Sequence, residues 1–134
     1  MASGIERLDH VNLRTGRLAE MIAWYRDVLG LNEGKRPDFS FPGAWMYAGS
    51  RALVHLVGTP EHPKDEQDDL KMEHVAFAAT GLKAMLARAE AAGARTRLRR
   101  VPGFPIVQLN IWDPDDNHLH VDFDLAEADG LELA

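Results

Sequence analysis

Four histidines recur at matched positions. His10 sits in Leu8-Asp9-His10-Val11-Asn12-Leu13, and His74, 64 residues on, sits in Met72-Glu73-His74-Val75-Ala76-Phe77. His55 in Val54-His55-Leu56 is answered 65 residues on by His120 in Leu119-His120-Val121. Imidazole binds transition metals and can move a proton near neutral pH. The chain has no cysteine, so any metal must be held by nitrogen and oxygen. A single histidine on a strand is more often a hydrogen-bonded core or surface residue. Two pairs at equivalent positions argue for a shared task.

The elements that would position them follow from periodicity. Both first runs alternate as β-strands, placing each histidine on one face and its acidic neighbour on the other. A helix is expected after each. Leu18, Met21, Ile22, Tyr25 and Leu29 fall at helical spacing, with Thr15 as cap and Gly30 as stop. Leu82, Met85, Leu86 and Ala89 do the same between Thr80 and Gly93; these apolar positions read as core packing. Three strands then follow in each half, near 32–37, 44–48 and 52–58, and near 95–101, 106–112 and 118–124. Gly49-Ser50 and Asp115-Asp116-Asn117 are turn signals. The expected class is α+β, one domain over 1–134 built of βαβββ module 1 (about 5–58), an acidic linker (59–70) and βαβββ module 2 (about 71–125). Two curved four-stranded sheets side by side would form a cleft.

Bulk properties narrow the function. The length of 134 residues, 46% hydrophobic and 27% charged, suits one soluble domain with a core. The formal charge is −6, and residues 61–69 carry five acids and one lysine, the mark of a solvated linker. No basic face suggests nucleic acid. No apolar run suffices for a membrane span or a secretory signal. The absence of cysteine is compatible with a cytoplasmic setting.

Taken in order, four stretches resemble the vicinal oxygen chelate superfamily: Leu8-Asp9-His10-Val11; Trp24-Tyr25-Arg26-Asp27-Val28-Leu29-Gly30-Leu31; Glu73-His74-Val75; and Asp113-Pro114-Asp115-Asp116-Asn117-His118-Leu119-His120. The last is similar to the family's Asp-Pro-Asp-Gly-Asn turn. The superfamily includes glyoxalase I, extradiol dioxygenases and bleomycin-binding (bleomycin resistance) proteins. The segment from Arg36-Pro37 to Val54-His55-Leu56 resembles a glyoxalase-I-like branch.

The resemblance implies metal ligands at His10, His55, His74 and His120. Here the chain departs from the pattern. Glyoxalase I has carboxylate, or Gln with carboxylate, at the positions of His55 and His120, and the dioxygenases need a carboxylate at His120. Four neutral imidazoles would leave a divalent ion its full charge and favour Zn, Ni or Fe. The proton-moving carboxylate at the metal would be missing, so His55, His120 or Asp122, two residues on and on the same strand face, are the candidate catalytic groups. The implied function is a metal-dependent glyoxalase-like lyase or isomerase on a small substrate that chelates through neighbouring oxygens. The alternatives are an iron-dependent extradiol-type dioxygenase and a non-catalytic drug-binding protein. A homodimer is also implied, with sites closed within one chain or across two.

Weaker features remain. Trp45, Tyr47, Phe104 and Trp112 suit an apolar substrate pocket or the core equally well, and His118 suits the substrate side or the surface. Pro102-Gly103-Phe104-Pro105 reads as a loop near the cleft mouth. Arg95, Arg97 and Arg99 alternate on one strand face, as a solvated edge guard or as an anion grip. Asp9 and Glu73 are expected to point away from the site, and His62 to be solvated in the linker.

Overall fold

The computed structural model describes residues 3–64 and 70–134, so part of the acidic linker lies outside the described residues. The first module runs β1 (Val11–Thr15), α1 (Leu18–Asp27), β2 (Asn32–Gly34), β3 (Gly43–Ala48) and β4 (Arg51–Gly58). The second runs β5 (Val75–Ala78), α2 (Leu82–Ala91), β6 (Thr96–Arg100), β7 (Ile106–Trp112) and β8 (His118–Asp124). A 3-10 turn at Leu125–Ala128 follows. The protein is α+β, with the same βαβββ plan twice. The sheets are ordered β1-β4-β3-β2 and β5-β8-β7-β6, and β1 and β5 each lie parallel to the last strand of their module.

The helices cover one face of each sheet. Met21, Trp24 and Tyr25 of α1 pack with Ala44, Met46, Val54 and Leu56 in the core. Leu82, Met85 and Ala89 of α2 play the same part over Val107, Leu109 and Val121. Burying each large side chain stabilises the fold by about 1.5–3 kcal/mol. Alternation along the strands turns the histidines to the opposite, helix-free face.

Two strands begin later than expected, at Val11 and Val75, because their ladders with β4 and β8 begin at Val11–Val54 and Val75–Leu119. His10 and His74 therefore stand just ahead of their strands. The helix starts also differ. Thr15 Oγ1 accepts the N–H of Arg17 at 2.9 Å; Arg17 holds the N-cap position of α1, so Thr15 lies two residues short of a cap. The α2 N-terminus is closed from a distance: Glu127 Oε1 accepts the N–H groups of Gly81 (2.9 Å) and Leu82 (3.0 Å). Gly30 ends α1 at φ +75°, as expected of a left-handed stop. Asp116 takes φ +62°, where the resembling turn has glycine.

Gly43 marks a close approach between β3 and β4. A Cβ there would sit 2.4 Å from the Leu56 carbonyl oxygen and 2.9 Å from the Arg36 guanidinium. Gly43→Ala should destabilise the fold by about 1–3 kcal/mol through overpacking against backbone, read as a lower urea midpoint at unchanged slope.

Candidate metal centre

Strand register builds the site. Asn12 pairs with His55, and the His10 ring, just ahead of the strand, lies against His55 on that face. Trp45 is the cross-strand partner of His55 on its other side. In the second sheet Ala76 pairs with His120, Asn110 with His120 and Trp112 with His118. His74, His118, His120 and Asp122 thus share one helix-free face.

The two modules repeat one arrangement. The His10 and His55 rings stack at 3.8 Å and 9°, and the His74 and His120 rings at 3.9 Å and 15°. In each, the preceding acid holds the first histidine: Asp9 Oδ2 lies 2.7 Å from His10 Nδ1, and Glu73 Oε1 lies 3.1 Å from His74 Nδ1. Asp9 and Glu73 therefore do not point away from their histidines. Because His10 and His74 precede the ladder, strand alternation does not govern their acidic neighbours. A carboxylate on Nδ1–H leaves Nε2 as the free donor toward a metal.

Glu73 reaches further than Asp9. Its Oε2 lies 2.5 Å from His118 Nδ1, while His118 Nε2 lies 2.9 Å from Asn110 Oδ1. His74, His118 and His120 each present a nitrogen within 4.8 Å of the others. His10 and His55 do not join that group, so the structure gathers the histidines as a pair in module 1 and a trio in module 2. His10, Val11 and the β5 residues Val75–Ala78 border a cavity of about 230 Å³.

The trio fits a transition metal. His120 Nδ1 is buried without a hydrogen-bond partner among the described residues, which a bound ion or water would satisfy. Burial pushes the His120 and His55 imidazoles below their ordinary range, assisted by His74 and His10 respectively, so both favour the neutral ligand form. His74 and His120 offer their nitrogens directly, whereas His118 must release Asn110 to do so. Asp122 Oδ1 is likewise buried without a partner, and burial raises its carboxyl above the usual range. That suits a proton acceptor two residues from His120.

The other expected residues are placed as follows. Trp45 stacks on His55 at 3.9 Å and 12°. The Tyr47 hydroxyl donates to the Lys35 carbonyl. Phe104 lies 60% exposed between β6 and β7 and does not line the cavity beside the histidines. His62 is tethered rather than simply solvated: its Nδ1 accepts the Gly16 N–H at 3.1 Å. Sequence reasoning missed Asn110 and the bridging role of Glu73. The repeat held a signal for the latter, since Asp9 and Glu73 occupy equivalent positions.

Comparison with known proteins places this arrangement. A model of the Glyoxalase/Bleomycin resistance protein/Dioxygenase superfamily matches residues 7–121. Glyoxylase I 4 of Arabidopsis thaliana is 29% identical over 114 residues, which cover 81% of this chain. The matched region spans 65% of that relative's length. A glyoxylase/bleomycin resistance protein/dioxygenase domain from Frankia sp. EAN1pec superposes with TM-score 0.76 at 20% identity, covering 90% of this chain and 93% of that one. Glyoxalase I of Leishmania major superposes with TM-score 0.65 at 17% identity, covering 92% and 89%. At those identities the structures share the fold. With the family match extending from before His10 to just beyond His120, the chain belongs to the glyoxalase/bleomycin resistance protein/dioxygenase superfamily.

Proposed function

We propose that the protein is a metal-dependent glyoxalase-type lyase or isomerase acting on a small molecule with two neighbouring oxygens. The observation that carries this reading is the His74–His118–His120 cluster with Asp122 on the same strand face. A divalent Zn, Ni or Fe ion, when bound, would supply positive charge to the substrate oxygens as charge develops on them. His74 and His120 would hold it, and Glu73 would fix the His74 ring. Asp122, with an unpartnered oxygen, would take a proton from one carbon and return it to its neighbour. His55 is the corresponding candidate in module 1, with Trp45 stacked beside it.

An iron-dependent dioxygenase is the second reading. Three neutral nitrogens on one face would leave coordination positions open for oxygen and a diol. Pairing of two copies is supported by Leu8 and Met72, repeat-equivalent residues each 76% exposed beside their histidines.

The test is elemental analysis of purified protein, followed by assays of the metal-loaded forms. Isomerisation of the methylglyoxal–glutathione adduct is the expected activity. Asp122→Asn should lower kcat by about 100-fold or more with metal content unchanged. Oxygen consumption with catechol and Fe(II) would favour the dioxygenase instead. Protein unable to take up a transition metal would leave small-molecule binding as the surviving function.

A further inference from the structure

The helix-free face of the second sheet continues past the histidines. On β7, Gln108, Asn110 and Trp112 share that face with Asp122, His120 and His118 of β8. On β6, Arg97 pairs with Asn110 and Arg99 with Gln108. Arg95, two residues before Arg97, lies over Trp112 with its guanidinium carbon 3.8 Å from the ring centroid. Trp112 in turn stacks on His118 at 4.7 Å and 9°. An arginine, a tryptophan and a histidine of the cluster thus form one continuous stack.

The stack lines a cavity of about 540 Å³ shared with Glu73 and His74. Arg95, Arg97 and Arg99 make no ion pair with any described acid. Two acids border the same cavity, Asp116 and Glu73, and the Glu73 carboxylate is already held by two histidines. The matching face of the first sheet carries Arg14 beside Val57, with Trp45 and Leu53 around His55, and among the described residues no guanidinium lies over Trp45.

We infer that Arg95 and Arg97 bind an oxyanion, a carboxylate or phosphate, carried by the substrate next to the oxygens that reach the histidines. The inference rests on the proposed function for where the reacting oxygens lie. The rival account is an edge strand kept soluble by charge. That account gives no reason for the Arg95 guanidinium to sit over the Trp112 ring. It is further weakened because the Ala134 N–H pairs with the Leu98 carbonyl (2.7 Å), covering part of the β6 edge. A guanidinium whose face rests on an aromatic ring keeps its N–H edge directed outward, which suits bidentate contact with an oxyanion.

The test uses chelator-treated, metal-free full-length protein, so it does not depend on metal uptake. The Trp112 indole and arginine side-chain NMR signals are followed while glycolate and, separately, inorganic phosphate are added. Saturable shifts of Trp112 and Arg95 are expected with at least one; glycolate alone selects a carboxylate, phosphate alone a phosphoryl group. Arg97→Ala should weaken that binding by about tenfold or more, and Arg97→Lys by less. Arg100→Ala, on the helix-covered face of the same strand, should leave it unchanged. No saturable shift with either anion, or equal loss with Arg97→Ala and Arg100→Ala in folded protein, overturns the inference. Metal uptake then stands or falls by the separate elemental analysis.

Discussion

Replacing His74 and His120 together with alanine is expected to weaken metal binding by more than about a hundredfold, because each removes a direct donor and altering a supporting residue alone costs about 10–100-fold. Glu73→Gln should fall within that supporting range, since the amide leaves one acceptor oxygen where the carboxylate serves the Nδ1 groups of both His74 and His118. The companion variant His10→Ala/His55→Ala carries equal weight. If the trio of module 2 holds the ion, this variant keeps most of the metal, because its rings stack with each other and stand outside the trio. If one ion is shared by all four histidines across the cleft, both double variants lose it. Titration with a competing chromophoric chelator separates the cases. Full metal retention by the His74→Ala/His120→Ala protein would show that the centre lies elsewhere. Folding is checked by the unfolding midpoint, and these exposed or half-buried rings should affect it little.

Much of this site was legible because duplication carries information that a single motif lacks. Offsets of 64 and 65 residues fixed which histidines correspond before any geometry was known. Strand alternation then put His118, His120 and Asp122 on one face, as the register shows. What stayed hidden depends on where pairing begins. A periodic run does not reveal that β4 and β8 pick up their partners only at Val11 and Val75. That one-residue boundary frees Asp9 and Glu73 to turn back onto their histidines. The capping of α2 by Glu127 was hidden for a related reason: the contact joins residues 45 and 46 apart, and no local rule reaches so far. The stack of Arg95 on Trp112 depends on β6–β7 pairing across a loop, so the alternating arginines alone left two readings open.

Asp113→Ala should produce the largest loss of stability, about 3–5 kcal/mol, the range for breaking a buried charged network by removing one partner. Asp113 is 3% exposed, and its carboxylate accepts four hydrogen bonds. Three come from its own turn: the N–H groups of Asp115 and Asn117 (both 2.9 Å) and Asn117 Nδ2 (2.8 Å). The fourth comes from the Tyr25 hydroxyl at 2.8 Å, 88 residues away on α1. This bond ties the first module to the turn that launches β8, and hence to the strand carrying His118, His120 and Asp122. Tyr25 is fully buried, and burial with the nearby Asp113 charge pushes its phenol well above the ordinary range. It remains a donor at all working pH values. Tyr25→Phe removes the donor and leaves three others on the carboxylate, so its cost should be only about 1–2 kcal/mol. Asp113→Ala instead strands the Tyr25 hydroxyl and the turn N–H groups together. The double variant should fall short of the sum of the singles, with a coupling of about 0.5–3 kcal/mol. Denaturant unfolding of the four proteins closes the cycle. Strict additivity would mean that the Tyr25–Asp113 bond is not what joins the two modules.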